Sequence, residues 1–346
     1  MAVYKEINKW ERRLNFIKEA VKRRDLSFVV YRLKWNLATK YKWLLPFPVH
    51  VDIEINSNCN YKCVFCPHGL GTIRNDLPMM SLETAKKIID ELKKNKVYSI
   101  KLLWRGEPTL HPNLADIVAY AKKQGIKEVQ INTNASVFNE QKIRNLIDSG
   151  IDRVIFSLDA TTPEVYSKIR PGGDYNKVAE NIKIFDKVRR AIRQDKPFLR
   201  VQMVRTELNK HQVADYRKMW EAIADDIRIS DVTNRGQGDN LKVGDQISLG
   251  RVCCPQPWQR IMISCEGKVL MCCSDWFEKY PLGNINENSL KEIWQGSKLQ
   301  AVRKRLKKLD YNFEPCKDCW IKESYAWVKN EKQDASAPLP QQAGRC

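Results

Sequence analysis

With 346 residues, 43% hydrophobic side chains and 10 Trp, the chain has the means to bury a large core, which argues against disorder. A formal net charge of +19 calls for an anionic partner, such as a phosphorylated or nucleotide-linked molecule, a nucleic acid or an anionic membrane face. Eleven cysteines, no long apolar run and no signal-type N-terminus predict a cytoplasmic chain that uses its thiols on metals rather than in disulfides.

Residues 1–47 read as a basic helical segment. Trp10, Leu14, Ile17 and Val21 recur at helix spacing among Lys9, Arg12, Arg13, Lys18, Lys22, Arg23 and Arg24. Such a segment packs on the outside of a domain or lies against a membrane. Pro46 and Pro48 end it, and Val51-Asp52-Ile53-Glu54-Ile55 alternates as a strand.

Strands then alternate with helices. The expected strands are 99–103, 128–133, 154–158 and 198–204, with helices from Ser81 and over 113–125, 139–149, 178–193, 211–224. Repeated strand–helix units predict a parallel sheet with right-handed crossovers, here an α/β partial (β/α)6 barrel over residues 48–235. Polar residues gather just after the strands, where such folds build their sites.

A polar linker, Thr233-Asn234-Arg235-Gly236-Gln237-Gly238, marks the expected boundary. Beyond it, over 236–325, a hairpin turning at Glu266-Gly267 and a helix over 289–309 make a small second domain, and 326–346 read as a flexible tail.

The first cysteine motif, Cys59-x-x-x-Cys63-x-x-Cys66, directly follows the first strand. Three thiolates leave one position of a metal centre open, as chemistry requires. A structural zinc site would need a fourth ligand, for which His68 is the local candidate. The second set places Cys254 and Cys272 about the hairpin and returns Cys316-x-x-Cys319 after the helix, four thiolates for a closed site. Zinc and iron–sulfur both accept it. Cys253 and Cys273 are spare neighbours, each able to replace an adjacent ligand; Cys265 and Cys346 read as bystanders.

With both sets placed, the chain resembles the radical S-adenosylmethionine superfamily, in particular members with a SPASM or Twitch auxiliary-cluster domain. The resemblance implies a [4Fe–4S] cluster on Cys59, Cys63 and Cys66, with Phe65 before the last ligand and S-adenosylmethionine on the open iron. Gly106-Glu107-Pro108 resembles the GGEP motif that receives the cofactor's amino group, with Arg105 where a Gly is usual. Asn134, Ser157 and Arg170 resemble further cofactor contacts. The sequence from Cys254-Pro255 to the CxxC is similar to the SPASM/Twitch pattern, with one auxiliary [4Fe–4S] cluster on Cys254, Cys272, Cys316 and Cys319.

The resemblance to Twitch-type 2-deoxy-scyllo-inosamine dehydrogenases implies oxidation of a carbinol on a sugar or cyclitol, with the auxiliary cluster accepting an electron. Arg105, Asp159, Arg205 and Arg235 are base candidates by position. The close rival is radical epimerisation with a cysteine hydrogen donor, Cys273 or Cys253. Peptide modification and a non-catalytic iron–sulfur or zinc protein are the remaining alternatives. Expected partners are a small, anionic sugar-type substrate, a flavodoxin or ferredoxin as reductant, and a membrane surface for the basic N-terminal helix; nucleic acid is disfavoured.

Overall fold

Strand alternation sets the architecture. Val51 and Ile53 of β1 (His50–Ile53), Val129 and Ile131 of β3 (Glu128–Thr133), Val154 and Phe156 of β4 (Arg153–Ser157) and Leu199, Val201 and Met203 of β5 (Phe198–Arg205) are all buried. They form one core with Ile88, Ile89 and Leu92 of α2 (Leu82–Lys94), Ile117 and Val118 of α3 (Leu114–Lys123), Ile143 and Leu146 of α4 (Glu140–Asp148) and Ile182 and Phe185 of α6 (Tyr175–Arg193). The alternate residues, including Asp52, Lys101, Gln130, Arg153 and Arg200, face the other way. A parallel sheet covered on both faces usually reads as continuous apolar runs. Here one face is apolar and helix-covered while the other is polar, the signature of a lined interior.

In the computed structural model, which describes residues 25–193, 196–232, 246–317, 319 and 323–327, six parallel strands run in the order β1 to β6. With β2 (Ser99–Lys101) and β6 (Asp226–Asp231) they form the expected partial barrel. Local sequence signals start the helices as anticipated: the Ser81 hydroxyl accepts Thr84 N–H at 3.1 Å, and Asn139 accepts Lys142 N–H at 2.8 Å.

Past β1 the sheet continues. β8 (Arg260–Ile263) pairs in parallel with β1, setting His50 against Arg260, and β9 (Lys268–Leu270) and β10 (Pro281–Asn284) follow antiparallel, for nine strands in one sheet. The hairpin expected in a separate unit is therefore a direct extension of the barrel. Its turn uses Gly267 at φ 82°, in the left-handed region that favours glycine. A separate two-stranded ribbon joins β7 (Gln246–Arg251) to β11 (Glu323–Trp327).

Some elements differ from expectation. The helix over 289–309 is two, α9 (Leu290–Gln295) and α10 (Ser297–Lys307), broken at the extended Gly296. The short helix α5 (Pro163–Ile169), started by Thr162-Pro163, was not foreseen. Of the N-terminal helix, α1 (Leu26–Tyr41) is described; its earlier turns, the 233–238 linker with Arg235, and the tail with Cys346 lie outside the described residues. Phe28, Tyr31, Trp35 and Ala38 of α1 pack where strands begin: Tyr31 stacks on Tyr98 at 4.6 Å and Trp35 meets His50 edge-on at 6.3 Å.

Candidate active site

The loop leaving β1 is folded by its own polar side chains. Asn75 accepts Cys59 N–H at 2.7 Å and donates to Cys59 C=O at 3.1 Å; Cys66 N–H donates to Cys63 C=O at 3.0 Å. A Cβ on Gly69 would stand 2.1 Å from the Cys63 carbonyl oxygen, so only glycine lets the loop close here. Burial pushes the Cys59 thiol up to about 12, with Cys63 and Cys66 close enough to add to the rise. Cys63 is pushed up to about 11 by burial, against the pull of Arg170, whose Nη1 lies 3.6 Å from its sulfur. Thiols in this setting ionise when a cation is bound among them, as metal ligation supplies. Phe65 packs half-buried on the core beside them.

At the end of β2 the backbone passes against this loop. A Cβ on Gly106 would lie 2.3 Å from Asn56 O and 2.6 Å from Asn58 O. Glu107 is buried, and burial raises its pKa. Its Oε1 accepts from Thr109 N, Thr109 Oγ1 and Thr133 Oγ1 at 3.0, 2.5 and 2.7 Å; among the described residues Oε2 accepts only Asn134 N–H, at 2.7 Å. Asn134 Nδ2 donates to Asn60 Oδ1 at 3.0 Å, and Asn60 Nδ2 to Ser136 Oγ at 2.8 Å, joining β3's end to the cysteine loop. Ser157 is half-buried and accepts from Gln202 Nε2 at 3.2 Å.

The base candidates are otherwise engaged. Arg105 donates to Glu54 through Nε at 2.8 Å and Nη2 at 2.7 Å, and to Glu278 at 2.7 Å, and stacks 4.2 Å from the Trp104 ring. Burial works against its charge, but the Glu54 and Glu278 carboxylates raise its pKa above the ordinary arginine value. Asp159 is fully buried and ion-paired with Arg170 at 2.6 Å, also accepting Val204 N–H at 2.7 Å. Arg205 pairs with Asp231 at 2.6 Å. Each of the three is thus engaged in an ion pair with a neighbouring strand, loop or helix end. Asp159 instead aims Arg170 at Cys63.

The residue that position-based reasoning missed is Lys101. It lies on the polar face of β2, in register with Asp52 and Gln130, with no hydrogen-bond or ion-pair partner among the described residues. Burial lowers its pKa, and Asp52, Arg260, Cys273 and Arg200 are the charged or titratable groups around it. Nearby, Asn132 Oδ1 is buried without a partner. The period-two alternation of Ser99-Ile100-Lys101 was the available signal.

Cys254, Cys272, Cys316 and Cys319 line one apolar cavity with Met271, Leu306 and Tyr311. Burial pushes Cys254 up to about 12 and raises Cys272 and Cys316, and neighbouring thiols, Cys273 among them, add to the rise. Tyr311 fixes the entry strand, accepting Cys254 N–H at 3.0 Å and donating to Val252 C=O. An apolar cavity closed by four thiols fits a fully ligated cluster. Cys273 does not line this cavity: it packs on Trp104, Met262 and Leu270, its carbonyl accepts Trp104 Nε1–H at 2.9 Å, and it lies within charge range of Cys254 and Cys272 as well as of Lys101 and Arg260. Cys265 instead sits at the hairpin turn, its N–H donating to Glu54 Oε2 at 3.1 Å.

Comparison with known proteins accords with this geometry. Residues 53–192 match the Radical SAM superfamily and residues 253–320 the SPASM iron–sulfur cluster-binding domain. The chain belongs to the radical S-adenosylmethionine superfamily. S-adenosylmethionine, a [4Fe–4S] cluster and auxiliary iron–sulfur ligation come with that membership. Over 333 residues the chain is 25% identical to a tungsten-containing aldehyde ferredoxin oxidoreductase cofactor-modifying protein of Pyrococcus furiosus, covering 82% of this chain and 91% of that one. It is 35% identical to a probable GTP 3',8-cyclase of Methanococcus maripaludis over 130 residues, 38% of this chain and only 43% of the cyclase. Among solved structures it shares the fold of BtrN in complex with AdoMet and 2-DOIA (TM-score 0.52, 21% identity, 76% of this chain, 88% of that one). It also shares that of Streptococcus suis SuiB bound to precursor peptide SuiA (TM-score 0.64, 16% identity, 93% and 80%).

Proposed function

We propose that this radical S-adenosylmethionine enzyme is an oxidoreductase that converts a carbinol of a polar, anionic sugar- or cyclitol-type substrate to a ketone. Bound beside its reduced cluster, the cofactor supplies a 5′-deoxyadenosyl radical for hydrogen abstraction. Cys59, Cys63 and Cys66 would hold that cluster, with Phe65 on the same loop packed against the core. Gly106, Glu107, Asn134 and Ser157 at or past the strand ends, and Arg170 at the C-terminal end of α5, would hold the cofactor. Glu107 Oε2, with its single donor, and the polar Asn60–Asn134–Ser136 group are the parts suited to a charged amino acid moiety. Gly106 keeps the loop backbones close enough to shape that cradle. Lys101, unpaired and reduced in basicity by burial, takes the proton from the substrate hydroxyl. Its Nζ, Asn132 Oδ1 and the exposed Arg228 give the inner face groups that suit a hydroxylated anion.

The observation that carries this reading is the closed four-cysteine cavity next to the polar interior. A cluster with all its ligands from the protein has no site for substrate, which fits an electron acceptor. Anaerobic reconstitution with iron and sulfide, then dithionite, S-adenosylmethionine and candidate phosphosugars, tests it. The expected result is about eight iron per chain, 5′-deoxyadenosine and a ketone. A native chain with both clusters loaded that makes 5′-deoxyadenosine but leaves the carbinol unoxidised across such substrates counts against dehydrogenation.

One observation favours a second reading, redox-neutral epimerisation. Cys273 lies outside the four-cysteine lining, packed on Trp104, Met262 and Leu270 and within charge range of Lys101, which suits a thiol that returns a hydrogen atom. In deuterated solvent, epimerisation puts deuterium at an inverted carbon and Cys273→Ala abolishes it; a ketone without solvent deuterium favours the first reading.

A further inference from the structure

Among the described residues, the outer face of α1 is an unpartnered apolar stripe. Leu26, Val30, Leu33 and Tyr41 fall on one side of the helix, opposite Phe28, Tyr31, Trp35 and Ala38, which pack inward. Leu26 is 83% exposed and Leu33 57%, and just past the helix Trp43 is 57% exposed and Leu44 39%. Long aliphatic side chains are rarely left this open in an unbroken row on a folded surface.

The charge beside the stripe is of one sign. Lys34 and Lys40 flank it and Arg32 follows further round, none with a carboxylate partner among the described residues. No Asp or Glu occurs from Leu26 through Val51. Residues 1–24 extend the same balance, with eight Lys or Arg against Glu6, Glu11 and Glu19. Two copies meeting through this face would bring cations against cations, which disfavours self-association. An anionic bilayer answers both features: its acyl boundary takes the aliphatic row, its headgroups take the lysines, and Tyr41 and Trp43 suit the interface.

We propose that α1 docks the protein peripherally on anionic lipid. This is independent of the catalytic reading. It also fixes an orientation. The inner face of α1 packs on Tyr98, His50 and Arg260, where β2, β1 and β8 begin, whereas the cysteine loop leaves the opposite end of β1. Docking through α1 turns the cysteine-loop end toward water, so substrate arrives from the aqueous side.

Flotation of the full chain with vesicles tests it. The chain floats with phosphatidylcholine vesicles containing about a quarter phosphatidylglycerol, not with phosphatidylcholine alone, and salt weakens the binding. Val30→Glu/Leu33→Glu abolishes flotation with the melting temperature retained. Lys34→Gln/Lys40→Gln, which alters only exposed side chains, weakens it about fivefold per charge at low salt, and keeps the test open if the first variant misfolds. Three results overturn the proposal: no flotation on anionic vesicles, flotation indifferent to both variants, or a dimer that Val30→Glu/Leu33→Glu dissolves.

Discussion

The three-cysteine loop and the four-cysteine cavity use the same ligand chemistry in different surroundings. The loop is held by hydrogen bonds from asparagines and leaves one ligand position for a polar cofactor, among groups such as Asn60 and Asn134. The cavity is apolar, walled by Met271, Leu306 and Tyr311, and its four thiols complete their own ligation. The difference teaches that the missing cysteine and the polar strand ends belong together: where a ligand is absent from the chain, hydrogen-bonding groups are ready for a molecule that brings one. Arg105 links the two regions, binding Glu54 of the barrel on one side and Glu278 and the Trp276 carbonyl on the other.

The sharpest way to break that comparison is to remove one cysteine from each site. Cys63→Ala is expected to lose about four iron and all reductive cleavage of S-adenosylmethionine. Cys316→Ala loses a similar amount of iron yet still makes 5′-deoxyadenosine while ketone formation stops; equal loss of both products in the two variants would show that the sites do not divide the work.

Lys101→Met comes next. Ketone formation falls by roughly a hundred- to ten-thousandfold while 5′-deoxyadenosine persists. The native rate climbs with pH as Lys101 loses its proton, with a midpoint below the ordinary lysine value because burial lowers it. Asp52 opposes that shift, and Arg260 and Arg200 assist it. A pH profile unchanged in Lys101→Met removes the residue from the reaction.

Arg105→Met tests the link. It leaves Glu54 buried without its cation, while Glu278 keeps Lys268 at 2.8 Å, and costs about 3–5 kcal/mol, read as a lower midpoint of denaturant unfolding. An unshifted midpoint would mean the pairs hold nothing together. The smallest effect is expected from Gly106→Ala, which forces a methyl onto Asn56 O at 2.3 Å. Overpacking costs about 1–3 kcal/mol and weakens cofactor binding, measured by calorimetry, while the four-cysteine cavity keeps its iron.

Much of the site was legible because it is written in short spacings. Cys59, Cys63 and Cys66 lie within one loop, and the strand–turn signals around Gly106 and Asn134 are local. The four-cysteine cavity was read from a hairpin and a returning CxxC, and the structure brings those four together. Lys101 was passed over because position after a strand was taken as the mark of a base, and Lys101 lies within β2. The ion pairs of Arg105 and Arg205 were not legible, because position after a strand carries no information on distant carboxylates such as Glu278 or Asp231. The pairing of β8 with β1 was likewise invisible, since no local pattern announces a parallel partner.

That pairing has a consequence for how the chain reaches its native state. β1 is synthesised early, but its outer hydrogen-bonding edge is satisfied only by β8, about two hundred residues later. Until then the barrel carries an open, apolar-backed edge, the kind that recruits another chain. A truncation after β6 would leave that edge permanently bare, so the C-terminal segment guards the barrel against aggregation as well as housing a cluster.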